Sequence, residues 1–504
     1  MNNEKNEIDD FAFWGAKKLV TALSEGVVTS EALLEIYISR IERLNPSVNA
    51  VVAYDFEQAR QRAREADAAT RQGQSWGPLH GLPITIKDTY EVPNMPCAAG
   101  TPEYQNHIPM QSAHAVQKLL DAGAIVFAKT NVPYKALDIQ TYNSVYGVSN
   151  NPWDLARTTG GSSGGAAAAL ACGFTALELG SDIGGSIRLP AHFCGVYGHK
   201  PTHGIISMQG HIPGPPGHLA EPDLAVAGPM ARTAEDLGFM LDLITGPSLL
   251  DSPGWQLTLP PATQKQLSDF RVLLWVDDPH FPIDQHMTKA YQSLSEKLQA
   301  EGVKVTTGSP LGIGLTDIYQ LYFLQMGTMM KAWLTRQERK ERGMLTPFGG
   351  MTATFVRNIK KWVDLPASID CFIEGLTMSH GAWLEVIEES LQLRERFIKV
   401  FSDYDVILAP PTLTTAFAHN HERLTTRKID INGESRHYAD LFAWISPATL
   451  MGLPATSAPL GFSPDELPIN VQIIGGPFQD KTTIKFAELL AHLYGGFKKP
   501  SIAS

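Results

Sequence analysis

The sequence predicts an α/β fold built on a mixed or mostly parallel sheet, and three observations carry that expectation. Short apolar runs bounded by turn residues, such as Ile84-Thr85-Ile86 and Val406-Ile407-Leu408, have the length and composition of buried strands. Other stretches repeat apolar residues at helical spacing and read as amphipathic helices. The two patterns alternate along the chain, as they do where helices cover a sheet.

The elements follow in order. Thr29-Ser30 can cap a helix whose apolar face runs Leu34, Tyr37, Ile38 and Ile41, with its stop expected at Asn45-Pro46. Asn49 to Tyr54 reads as a strand and the Ala/Arg-rich stretch from Glu57 to Gln74 as a helix. His80-Gly81-Leu82-Pro83 is a turn into the strand Ile84 to Ile86. Val116, Leu119 and Leu120 mark a helix ending at Gly123, before a buried strand from Ala124 to Ala128. Thr233 and Asp236 form a capping-box pattern; Leu237, Met240, Leu241 and Ile244 then share one helix face, closed by Gly246. Pro410-Pro411 stops the strand at Val406 to Leu408, and the prolines and glycines of Ile212 to Gly217 mark a loop. The Met- and aromatic-rich stretch Ile318 to Trp333 reads first as a core helix and second as a pocket wall.

Composition excludes several function classes. A formal net charge of −11 argues against nucleic acid, which is held by concentrated Lys and Arg. Lys17-Lys18 and Lys360-Lys361 are isolated pairs that read as solvated helix faces. Cys97, Cys172, Cys194 and Cys371 lie far apart without a C-x-x-C pairing, which indicates neither a disulfide frame nor a zinc knuckle. Met1 to Asp10 is polar and lacks a signal-peptide core. The longest apolar candidate, Ala166 to Leu179, is broken by Gly173 and Glu178 and is too short for a membrane span. The expectation is a soluble, reducing, cytoplasmic setting. Length alone suggests about three domains of roughly 150 residues.

Chemistry concentrates between Lys87 and Arg188. Gly160-Gly161-Ser162-Ser163-Gly164-Gly165 must form an irregular loop, and alone it reads as a phosphate cradle or a flexible turn. Ser181-Asp182-Ile183-Gly184-Gly185-Ser186-Ile187-Arg188 sets two glycines before a serine, so consecutive N–H groups can face a developing oxyanion. A serine nucleophile needs a base, and no histidine is placed by a recognisable motif. Lys87 ends the apolar strand, where poor solvation lowers an amine from about 10.4 toward a proton-accepting range. Alone, it reads as an exposed strand-end charge paired with Asp88.

Together these pieces resemble the amidase signature family, whose members carry a lysine, a serine in a GGSSGG loop and a serine in a D-x-GGS-x-R segment. Ser162 and Ser186 keep the family's spacing of 24 residues. Further matches are Lys129-Thr130-Asn131, Asn151-Pro152-Trp153-Asp154, Phe193-Cys194-Gly195 and Gly198-His199-Lys200-Pro201-Thr202. Gly228-Pro229-Met230-Ala231-Arg232, Pro411-Thr412, Gly452-Leu453-Pro454-Ala455 and Leu467-Pro468 to Gln472 continue the series in order. Tyr197 and His199 depart mildly, standing where the family often has small or apolar residues.

The resemblance implies one domain over 10–495, with a catalytic core over about 75–245 and a mixed sheet surrounded by helices. It implies that Ser186 attacks an amide carbonyl and that Ser162, on a cis peptide, relays the proton to neutral Lys87. Ile183, Gly184, Gly185 and Ser186 would supply oxyanion N–H groups, and Ser163, Asp182 and Arg188 would support the loop. Leu137, with Ala136, would line the acyl pocket. Neither metal nor organic cofactor is implied.

Two other patterns carry less. Gly160-Gly161-Ser162-Ser163-Gly164 satisfies the G-x-S-x-G elbow, which demands a strand before the serine, whereas Asn151 to Thr159 reads as loop. His199 and His203 have metal-pair spacing but bracket Pro201. Three functions remain open: a hydrolase of a small hydrophobic or aryl amide, oligoamide or carbamate; a glutaminase subunit of the tRNA-dependent amidotransferase; and an inactive binding protein on the same scaffold. The partner expected is a small-molecule amide, with a homo-oligomer left open.

Overall fold

The computed structural model describes residues 11–212, 214–333, 366–424 and 426–503. Met1 to Asp10 and Lys360-Lys361 lie outside them. Of the other lysine pair, Lys17 meets Glu235, and Lys18 sits 3.3 Å over the Trp14 ring.

Eleven strands form one sheet: β1 (Val51–Tyr54), β2 (Pro83–Lys87), β3 (Ile125–Thr130), β4 (Leu177–Asp182), β5 (Tyr197–Lys200), β6 (Val226–Ala231), β7 (Arg271–Leu274), β8 (Lys304–Thr307), β9 (Val406–Ala409), β10 (Ala455–Phe462) and β11 (Pro468–Gly475). Their spatial order is β1-β3-β2-β4-β6-β5-β10-β11-β9-β7-β8. Six neighbouring pairs are antiparallel and four parallel, so the sheet is mixed and not mostly parallel. The parallel trio β3-β2-β4 brings the carboxyl ends of β2 and β4 side by side, the usual location of ligand sites in open α/β sheets.

Local signals act mostly as expected. Thr29 caps the helix Ser30–Val48 by accepting from Ala32 N. That helix runs past the expected stop, because Pro46 falls in its last turn, where one missing donor costs little. Asn49, left-handed at φ 52°, ends it, and the Asn45 carboxamide takes the N–H groups of Ala50 and Val51. Thr233 caps the helix Ala234–Ile244, but Asp236 does not complete a capping box with it. Its carboxylate instead accepts from Ala16 N and Lys17 N, capping the helix Ala16–Ser24. The helix Gly164–Ala171 is wholly buried and packs on β2, β3 and β4, its small side chains admitting a close approach.

Candidate active site

Lys87 closes β2 with its side chain fully buried. Its Nζ lies 2.7 Å from Ser162 Oγ, 2.9 Å from Ser163 Oγ and 2.9 Å from Ser181 Oγ. Burial pushes this amine down to about 7, although Asp182 and Glu178 pull it upward. The strand-end reading of Lys87 therefore fails: the side chain turns inward, and Asp88 faces Lys129 at 3.5 Å.

The Gly160–Gly165 segment arrives as a tight loop with a cis peptide between Gly161 and Ser162. Gly161 is required by space, since a Cβ there would stand 2.5 Å from Asp138 O. The stretch before Ser162 holds only isolated bridges, Asn150 to Thr158 and Arg157 to Ala418, which are not the strand that a nucleophile elbow needs.

The loop after β4 is shaped by Asp182. Its buried carboxylate accepts from Gly185 N and Ile187 N, both at 3.0 Å, and from Arg188 N at 3.3 Å. Arg188 adds Nε at 3.0 Å and Nη2 at 2.8 Å. Burial works against the anion, yet the Arg188 charge and these donors hold the carboxyl below its ordinary value. Arg188 also reaches Ile445 O, Gln472 Oε1 and Thr449 Oγ1, tying the loop to β11 and the helix Ser446–Leu450. Ser163 N donates to Ser186 O at 3.1 Å, joining the two serine loops.

Ser162 and Ser186 open on one small cleft with Ala136, Ser181, Asp182, Ile183, His211 and Ala225. The expected donors divide here. Among the described residues no protein acceptor takes the N–H of Ile183, Gly184 or Ser186, whereas Gly185 N is already given to Asp182 Oδ1. Gly185 serves the turn instead: its φ is +79°, and a Cβ there would collide with Leu189 Cδ1. At the turn where Leu137 was expected, the cleft is lined by Ala136 and not by Leu137. Left-handed backbone at Lys135 (φ 49°) and Ala136 (φ 57°) turns the chain there, leaving Leu137 half-buried beside the cleft.

Three neighbours had no expected role, although one of them, Ser181, opens the second motif. Ser181 gives Lys87 a third hydroxyl, and His211 Nε2 lies 2.9 Å from Ser181 Oγ. Burial, with the Lys87 charge second, holds His211 well below its ordinary value, so the ring is neutral near pH 7. Tyr90 donates to Gly180 O at 2.7 Å and packs edge-on against His211. The Met- and aromatic-rich stretch is the helix Leu315–Trp333, and it is the core helix expected first; among the described residues none of its side chains lines the serine cleft. Its Ile318 and Tyr319 are core, while the Tyr322 hydroxyl donates to Ile183 O at 3.1 Å. Phe442 meets Gly184 and packs edge-on with Phe323.

The remaining expectations resolve simply. None of the four cysteines is joined in a disulfide. His199 is buried between Thr456 Oγ1 and Asp480 Oδ1, and His203 bonds Pro222 O, so they do not form a metal pair. No helix among the described residues is long and apolar enough to cross a membrane. A larger groove of about 840 Å³, edged by Met110, His114, His218 and Leu219, shares no lining residue with the serine cleft.

Known proteins resemble the chain along nearly its whole length. The Amidase family model matches residues 32–484. The glutamyl-tRNA(Gln) amidotransferase A-type polypeptide of an Exiguobacterium species is 30% identical, covering 97% of this chain and 99% of that protein. Fatty-acid amide hydrolase 2-A of Danio rerio is also 30% identical, covering 96% of this chain and 89% of its own. A crystal structure of an amidase superposes with a TM-score of 0.76 at 28% identity, covering 96% of this chain and all of the other.

Proposed function

The chain belongs to the amidase signature family, enzymes of amide C–N bonds, and from that premise we propose that it hydrolyses an uncharged, largely apolar carboxylic amide through an acyl-enzyme on Ser186. The observation that carries this reading is the buried Lys87 amine 2.7 Å from Ser162 Oγ, with Ser186 on the same cleft. In the proposed cycle Ser186 Oγ attacks the carbonyl carbon and passes its proton to Ser162, which gives its own to neutral Lys87. The N–H groups of Ile183, Gly184 and Ser186 face the oxyanion. Collapse of the tetrahedral adduct returns a proton through Ser162 to the leaving nitrogen, and water then cleaves the ester by the reverse relay. Ser163 helps hold the lysine, and the Asp182–Arg188 pair holds the loop. The reading treats 10–495 as one domain, because a single sheet draws strands from residues 51 to 475.

An apolar acyl or amine group is favoured by Ala136, Ile183 and Ala225 along the cleft, with Tyr322 and Phe442 behind Gly184. A second reading, a glutaminase component of an amidotransferase, is supported by amidotransferase relatives that match end to end. Glutamine, however, carries two charges beside its amide, and the cleft's charged side chain, Asp182, is already saturated by Arg188 and backbone donors. A fluorophosphonate probe followed by peptide mapping tests the nucleophile: adduct on Ser186 is expected, and adduct on Ser162 would refute it. Hydrolysis of anilides in preference to glutamine separates the two substrate readings.

A further inference from the structure

The slot beneath Lys87 contains a second ionisable group that the relay does not use. Glu178 lies on β4 opposite Thr85 of β2, and Lys87 is two residues beyond Thr85. Side chains on a strand alternate, so Thr85, Lys87 and Glu178 share one sheet face, with Glu178 diagonal to Lys87. The intervening residue on β4, Gly180, has no side chain to separate them. The helix Gly164–Ala171 seals this face, and Glu178 is fully buried.

Its hydrogen bonding is sparse. Thr85 Oγ1 donates to Glu178 Oε1 at 2.6 Å, while Oε2 has no hydrogen-bond partner among the described residues. The Thr130 hydroxyl, level with Lys87 on β3, also favours the ionised form, yet a carboxylate so sparsely bonded is costly to bury unless a nearby positive charge offsets it. Asp182 is a poor source of free negative charge for Lys87, since Arg188 and three N–H groups already surround it. Lys129 is the other cation near Glu178, but it occupies the opposite face, in register with Ile86, and faces Asp88. The remaining titratable neighbours are His211, through Ser181, and Tyr90, bonded to Gly180 O. Lys87 is thus the cation that shares the sealed face with Glu178.

We infer that Glu178 is a positioning residue for the reaction, the buried counter-charge that sets how readily Lys87 holds and releases its proton. This rests on Lys87 being the base, as proposed above. The carboxylate stabilises the protonated amine formed when Ser186 is deprotonated, without touching substrate or either serine. Burial pushes the Glu178 carboxyl up to about 7, against the pull of its hydroxyl neighbours and the Lys87 charge, so the carboxyl and the amine titrate as a coupled pair.

The test is the acid limb of kcat/KM against pH on an anilide, for parent, Glu178→Gln, Thr85→Val and Lys87→Met. Glu178→Gln keeps the shape and an oxygen for Thr85 while deleting the charge. Its limb should move to lower pH by about one unit, because the protonated amine loses its counter-charge. Thr85→Val, which removes the donor favouring the ionised carboxyl, should move it the same way by less. It also keeps the test open if Glu178→Gln fails to fold. A limb that stays in place or rises in both variants, while Lys87→Met abolishes it, would overturn the role of Glu178 alone. A limb surviving in Lys87→Met would instead overturn the base assignment.

Discussion

Two buried lysines end strands of the one sheet, and only one of them is surrounded by hydroxyls. Lys87 at the end of β2 and Lys200 at the end of β5 are both fully buried, and burial brings each amine to about 7. Around Lys87 stand the hydroxyls of Ser162, Ser163 and Ser181. Around Lys200 the hydrogen bond among described residues is to Pro201 O at 2.8 Å, with Arg188 as a cationic neighbour. A depressed amine is therefore not a signature of a base. What distinguishes Lys87 is a set of hydroxyls that can both give and take protons, two of them, on Ser162 and Ser181, lining the cleft that Ser186 also lines.

The contrast yields a graded series of expectations. Ser186→Ala should lower amide turnover by about 10⁴-fold or more, because it removes the covalent route, with thermal stability unchanged. Arg188→Ala should lower unfolding free energy by about 3–5 kcal/mol in denaturant melts, since it leaves Asp182 buried without its partner. Tyr322→Phe, which removes the bond to Ile183 O, should reduce kcat by about two- to tenfold in steady-state assays. Exhaustive EDTA dialysis should change nothing measurable, since the described residues gather no set of three or more metal-ligating side chains. Activity lost to EDTA and restored by zinc would break the comparison, because a metal and not Lys87 would then supply the base.

How much of this could be read in the sequence follows from chain distance. Gly160–Gly165 and Ser181–Arg188 are local motifs, so both serines stood out as residues, while the relay proposed for Ser162 and the place of Asp182 and Arg188 came with the resemblance. Lys87 needed the resemblance, because its burial depends on pairing with β3 and β4 far along the chain. The contact of Ser181 with Lys87, and the placement of His211 and Glu178, are selected by strand register and loop return, which no local pattern encodes. Glu178 did leave a trace, as a lone acid interrupting the apolar run Ala166 to Leu179. The helices were legible from caps and periodicity, with their ends off by a few residues at Pro46 and Gln74. The hairpin β10–β11 was seen only as motifs; Pro459 sits inside one strand and Pro468 opens the other, which masks the strand pattern.

The central claim is tested most directly by matched pH–rate profiles on an anilide and its corresponding ester, for parent, Lys87→Met and Lys200→Met. The parent kcat/KM should rise through about pH 7 and level off, because Lys87 accepts a proton only above its own value. Lys87→Met should lose that limb and slow the anilide by about 10²- to 10⁴-fold, the ester by less, since an amine departs only when protonated. Lys200→Met should keep both the limb and the anilide-to-ester ratio of the parent. A limb that persists in Lys87→Met, or one that vanishes in Lys200→Met, would contradict the account.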